Sequence, residues 1–207
     1  MAHLLTRDQA QRIESLITEV ERSTAGEIVT VVVARCDDYA SWRIPWIAGL
    51  TVASSLALYL GAPAIPVEWI FVAQLPVGVA LWCISGLSPV LRRMLPRTLI
   101  DATVAARACE LFVERGVTET RDRSGVLLLI AELEHRVEIL ADRGIHSRVG
   151  SEGWERHTRR IGEAIAQGHA ADGIYGAVEE IGRILQESFP ARPDDQNELP
   201  DSIHRAD

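Results

Sequence analysis

The alternation of apolar and polar positions changes character several times along the chain. Thr6-Arg7-Asp8-Gln9 is a capping-box pattern, in which the Thr side chain and the Gln side chain each satisfy a backbone amide of the other. Behind it Ile13, Leu16, Ile17 and Val20 recur at helical spacing. This helix is expected to run to about Arg22 and to stop before Gly26. Residues 27–34, EIVTVVVA, are dominated by β-branched side chains and read as a buried strand.

The rhythm is then lost. No charged side chain occurs from Ile44 to Val67, and none from Trp69 to Leu91. A helix needs about 20 apolar residues to cross the hydrocarbon core of a bilayer. The runs 44–62 and 69–91 each supply that length, and neither carries an ionised residue, which would cost about 2.5–3.5 kcal/mol at mid-span. Gln74 is the strongest polar group, and Ser54, Ser55, Ser85 and Ser88 can bond back to helix carbonyls. Trp42, Trp46, Tyr59, Trp69 and Trp82 lie mostly near the ends of the runs, as an interfacial aromatic belt requires. Gly61 to Glu68 leaves room only for a turn, so the two spans form an antiparallel hairpin. Arg35 and Arg43 precede it, Arg92, Arg93 and Arg97 follow it, and the turn carries only Glu68. The positive-inside bias then puts both termini on the cytoplasmic side of a cytoplasmic membrane. The lipid bilayer is the first expected partner.

Ordinary amphipathic patterning resumes after the hairpin. A helix is expected from about Thr98 to Arg115, with Ala102, Ala106, Cys109 and Phe112 or Val113 on its inner face and Gly116 as its stop. Residues 125–131, GVLLLIA, read as a second buried strand, 132–135 as a turn, and 136–141, RVEILA, as a third strand. Strands so close in sequence pair antiparallel. The first two, separated by a helix, pair parallel through a right-handed crossover. A helix from near Ser151 through Trp154, His157, Ile161 and Ile165, and another through Ile174, Val178, Ile181 and Leu185, complete the pattern. The expected fold class is therefore α/β: a small mixed sheet sandwiched by helices, interrupted by a two-helix transmembrane hairpin. One discontinuous domain, residues 1–35 plus 98–190, encloses the 44–91 hairpin, and an acidic tail, 191–207, is expected to be mobile.

Composition narrows the chemistry. The net charge is −8, which removes the basic excess usual in nucleic-acid binders. All 21 basic residues are Arg, so lysine-based covalent chemistry is absent from the candidates. Cys36, Cys83 and Cys109 form no metal or redox spacing and read as free thiols facing a reducing compartment. The polar opening helix gives no sign of a cleavable signal peptide.

Four stretches together carry a family resemblance: LLTRDQAQRIESLITEVE, TAGEIVTVVVA, SGVLLLIAELEHRVEILADRGI and ADGIYGAVEEIGRIL. In this order they resemble the TPM-domain family, and the ending FPARPDDQNELPD resembles a membrane-bound bacterial branch of it. The resemblance implies an α/β/α sandwich. It also implies two possible chemistries, calcium-like divalent cation binding and weak acid phosphatase activity, while many members have no established activity. Secreted members tend to carry an Asp just before the first helix, where this chain has His3-Leu4-Leu5. After the glycine turn, where those members often carry an acidic residue, this chain has Ser151-Glu152.

The candidate site gathers at strand ends, where α/β sheets tend to bind ligands. Glu27 opens the first strand, Asp122 precedes the second and Asp142 ends the third; Asp142 with Glu152, Asp122 and Glu27 could supply part of the oxygen shell that a calcium-like cation needs. Capping of helices and turns by the same acids is the favoured reading of them, since Asp142-Arg143-Gly144 is ordinary turn chemistry. A phosphatase would need a nucleophile and charge clamps; Ser124 with Arg121 and Arg123 is the only local group of that kind. The favoured expectation is a membrane-anchored interaction or assembly module with a protein partner. A cation-binding protein or phosphatase-type hydrolase is the alternative.

Overall fold

The computed structural model describes residues 6–150, 170–191, 199 and 204–206. The helix expected from Ser151, with Glu152, and most of the acidic tail lie outside the described residues. Two compact units emerge. One joins Met1–Cys36 to Asp101–Asp207, and the other is Asp37–Ile100.

The first unit is built on a sheet. Helix α1 (Arg7–Glu21) starts at the capping box: the Gln9 amide donates to Thr6 Oγ1 at 3.3 Å and the Thr6 amide donates to Gln9 Oε1 at 2.8 Å. Strand β1 (Glu27–Val33) pairs parallel with β2 (Gly125–Ala131) along its whole length, from Glu27 opposite Gly125 to Val33 opposite Ala131. Strand β3 (Arg136–Ala141) pairs antiparallel with β2. A short strand, β4 (His204–Ala206), joins β1 parallel at Val31–Val33 and gives the order β3-β2-β1-β4. The expected tail therefore contributes an edge strand that its polar composition did not announce.

Every residue of β1 and β2 is buried, so both faces of the sheet are covered. Ile28, Val32, Val126, Leu128 and Ile130 share one core cluster with Ile13, Leu16, Ile17 and Val20 of α1 and with Ile174, Val178, Ile181 and Leu185 of α7 (Ala170–Ser188). Successive residues of a strand point to opposite faces, so Val29, Val31, Val33, Leu127 and Leu129 form the other one. The crossover helix α5 (Arg97–Glu114) lies on that route. Its buried stripe is Ile100, Val104, Ala108 and Leu111, whereas Ala102, Ala106, Cys109 and Val113 are exposed and Phe112 is half-buried. The expected inner face is thus corrected by roughly half a turn. The stripe that places Ile100, Val104 and Leu111 inward buries more apolar area than one that begins Ala102, Ala106 and Cys109. The end of α7 is hooked back onto the entry to β1: Thr24 Oγ1 donates to the Phe189 carbonyl at 2.6 Å and the Ala25 amide donates to the same oxygen at 2.8 Å.

The second unit is a helical hairpin. Helices α2 (Ala40–Gly61) and α3 (Val67–Ser85) are joined by a turn in which the Ile65 amide bonds the Ala62 carbonyl at 2.9 Å. The second apolar run does not continue as one helix to Leu91. It breaks at Gly86-Leu87, and Pro89, which lacks an amide hydrogen, sits in the first turn of a new helix, α4 (Ser88–Met94). Both α2 and α3 are long and apolar enough to cross a membrane, and their side chains are exposed: Val52 at 68 %, Phe71 at 70 % and Leu75 at 74 %. Between them, Ser54 Oγ donates to Gln74 Oε1 at 2.8 Å, while Gln74 Nε2 donates to its own helix at the Ile70 carbonyl, 3.2 Å away.

Candidate functional site

The strand-end acids come from one end of the sheet, because the register sets Glu27 beside Gly125 and Val126 beside Ala141. Asp142 follows immediately. Its amide donates to the Gly125 carbonyl at 2.9 Å, and its Oδ1 accepts from the Arg143 amide at 2.6 Å, making it the N-cap of α6 (Arg143–Val149). Asp142 is only 5 % exposed, and its other oxygen, Oδ2, has no hydrogen-bond partner among the described residues. The nearest cation to Oδ2 is the Arg123 guanidinium, at 3.8 Å.

The loop that carries Arg123 is fixed from several sides. Arg123 has a left-handed backbone, φ 53°, and its side chain also bonds the Thr118 carbonyl. The Gly144 amide donates to the Arg123 carbonyl at 3.0 Å. A methyl group on Gly144 would overlap the carbonyl oxygens of Asp122 and Arg123, so only glycine lets α6 begin this close to the loop. Ser124 is 1 % exposed; its amide donates to Thr120 Oγ1 at 3.1 Å and its hydroxyl donates to the Ala25 carbonyl at 2.9 Å. Ser124 therefore fastens the β2 entrance to the turn before β1, which leaves its oxygen poorly placed as a nucleophile. Arg121 is exposed and Asp122 is half-buried on the same loop.

Among the described residues no group of three or more His, Cys, Asp or Glu side chains is arranged to hold a metal ion. Glu27 is buried at the opening of β1, and Glu152 lies outside the described residues. The structure thus places Glu27, Asp122 and Asp142 at one end of the sheet, with Asp142 engaged as a helix cap. Glu21 reaches the same end, where its Oε1 accepts the Ile28 amide at 3.0 Å. A separate surface groove of about 510 Å³ runs between α1 and α7, lined by Gln9, Arg12, Leu16, Glu19, Asp172 and Tyr175 among others; none of the expected site residues borders it.

Two polar positions escaped the sequence reading. Glu134 is buried in the β2–β3 turn and its Oε1 accepts the Cys36 amide at 2.9 Å, which closes the exit of β1. No local pattern marks it, because its partner is distant in sequence. The other is Arg43, read above only as a topogenic charge. Its side chain is buried: Nε donates to Ser85 Oγ at 3.2 Å, Nη2 donates to the Trp82 carbonyl at 2.8 Å, and the guanidinium lies 4.3 Å from the centre of the Trp82 ring. The last carbonyls of a helix lack intrahelical donors and carry partial negative charge. The Trp82 carbonyl also accepts the Gly86 amide at 3.2 Å, so Arg43 adds its charge to an acceptor already in use and clamps the start of α2 to the end of α3. Its signal in the sequence is an Arg immediately before the first apolar run and a Ser-Gly pair within the second.

Comparison with known proteins agrees with this architecture. No curated protein matches the chain. Among solved structures, the NMR structure of the BA42 protein from the psychrophilic bacterium Bizionia argentinensis has a similar fold, with a TM-score of 0.62 at 19 % identity, covering 100 % of this chain and 98 % of that one. Residues 94–184 match the TPM domain, a stretch that takes in α5, β2, β3 and α6 and ends within α7. The chain thus carries a stretch similar to the TPM domain within a fold like that of BA42.

Proposed function

We propose that this chain is a membrane-anchored TPM module that works by binding another protein rather than by catalysis, with both termini at the cytoplasmic face of an inner membrane. The observation that carries the anchor is the apolar surface of α2 and α3. A core helix of a soluble protein passes the same length and composition test, but it is buried; these two are not. A signal sequence lies near the N-terminus, whereas these follow a completed helix and strand. Each large apolar side chain left in water forgoes roughly 1.5–3 kcal/mol of burial. Lipid is the solvent in which such a surface rests without penalty. The turn of the hairpin carries Glu68 while Arg43, Arg92, Arg93 and Arg97 gather at its base, and this charge bias favours cytoplasmic ends.

Binding is favoured over catalysis because the residues suited to chemistry are engaged in holding the fold. Ser124 is buried and tied to Ala25, and Asp142 caps α6. The test uses the full chain purified in neutral detergent. Release of phosphate from a generic phosphomonoester should stay at the level of the Ser124→Ala variant. Photo-crosslinking residues on the exposed face of α7 should yield a discrete protein adduct in native membranes. Phosphate release abolished by Ser124→Ala, or adducts only with lipid, would overturn the reading.

A cation-binding reading retains one specific support, the buried Asp142 Oδ2 with no hydrogen-bond partner among the described residues. A rise in melting temperature at millimolar calcium, lost in Asp142→Asn, would establish that alternative in place of the first.

A further inference from the structure

The hairpin unit presents its charge unevenly. Glu68 lies at the turn, and the other ionisable acids of the unit, Asp37 and Asp38, precede α2. Each of those two accepts a backbone amide, Asp37 from Tyr39 at 2.6 Å and Asp38 from Ala40 at 2.8 Å. Arg92, Arg93 and Arg97 fall within six positions, all exposed, and none has an ion-pair or hydrogen-bond partner among the described residues. Arg43 adds a buried fourth cation with no carboxylate against it. A chain of net charge −8 thus concentrates four arginines against two aspartates at the base of its apolar hairpin.

These arginines sit on a fixed platform. Helix α4 is anchored by buried Leu91, with buried Leu95 just after it. Trp42 Nε1 donates to the Met94 carbonyl at 3.2 Å, which ties the end of α4 to the start of α2. Arg43 ties the start of α2 to the end of α3. Arg92 and Arg93 are therefore held at the level where both apolar helices begin and end, the depth at which a bilayer presents its headgroups. Guanidinium groups bind phosphate through paired donors. Clusters of basic residues immediately beside a span attract anionic lipid.

We infer that the base of the hairpin is a binding site for anionic phospholipid headgroups, with Arg92, Arg93 and Arg97 as the phosphate ligands and Arg43 setting the platform and the local potential. This rests on the membrane reading above. The chain then prefers phosphatidylglycerol-like lipids over zwitterionic ones, and it makes that choice through the α3–α4–α5 corner, not through the TPM unit.

The full chain in neutral detergent is titrated with phosphatidylglycerol, phosphatidylcholine or inorganic phosphate at equal phosphate concentration, and thermal unfolding is followed. Phosphatidylglycerol should raise the melting temperature by at least about 2 °C, and phosphatidylcholine should not. The rise should vanish in Arg92→Gln/Arg93→Gln/Arg97→Gln and, for the unaltered chain, in high salt. The salt arm needs no variant, so a misfolding variant does not spare the inference. Equal rises with both lipids, a rise that survives high salt, or the same rise from inorganic phosphate would overturn it. Alkaline extraction of the same membranes separates the two readings. A chain that stays in the membrane yet shows no lipid preference contradicts this inference alone, whereas a released chain contradicts the anchor itself.

Discussion

Asp142 is where a structural and a functional account of the strand-end acids part company. In the structure it caps α6 through Oδ1 at 2.6 Å from the Arg143 amide, and it faces Arg123 at 3.8 Å. Loss of an N-cap acceptor costs about 1 kcal/mol. The ion pair adds a few tenths, because Arg123 is about half exposed and its charge is screened. Asp142→Ala should therefore cost about 1.5 kcal/mol, whereas Asp142→Asn keeps the cap acceptor and should cost well under 1 kcal/mol. Hydrogen exchange on peptides covering β3 and α6, in the full chain, reads this locally. Alanine should speed exchange of the α6 amides roughly tenfold and asparagine roughly two- to threefold. Equal effects of alanine and asparagine would refute the capping argument, since charge and not the acceptor would then be what the site requires.

Other outcomes follow from the same structure. Gly144→Ala should destabilise the sheet-bearing unit by about 2 kcal/mol or more, because the methyl meets the carbonyl oxygens of Asp122 and Arg123; chemical unfolding checks it. Glu138 has its carboxyl pushed above the ordinary 4.5, first by burial and then by the charge of Asp101. Its folded form thus favours the proton, so its contribution to stability is full below about 4.5 and is lost as pH rises through the raised value. Glu138→Gln should accordingly stabilise the chain at pH 7 and have little effect at pH 4, in paired melting curves. Residues 98–207 expressed alone lack β1, the strand that pairs with all seven residues of β2, and should be insoluble; a cooperative, soluble fragment would contradict that. Gln74→Leu removes the Ser54 contact in mid-hairpin and should cost about 0.6 kcal/mol in a detergent unfolding series.

Much of the fold was legible because its signals are local. The Thr6 capping box, the β-branched run of β1 and the short 132–135 turn each fix an element from neighbours in sequence, and the mixed pairing of β1, β2 and β3 follows from the lengths between them. The α5 face was misread because its two possible stripes differ in side-chain size rather than in spacing. Strand β4 was missed because three residues in a polar tail carry no period, and only the open edge of β1 gives them a place. At the candidate site, turn chemistry announced Asp142 correctly as a cap, but nothing local shows that Ser124 turns inward to Ala25 across 99 positions. The same limit hid Glu134 and the clamp made by Arg43, whose partners lie 98 and about 40 residues away.

The account stands on α2 and α3 lying in lipid. Membranes from cells making the full chain, washed in alkaline carbonate, should keep it in the pellet until detergent is added. Its appearance in the carbonate supernatant would contradict the account.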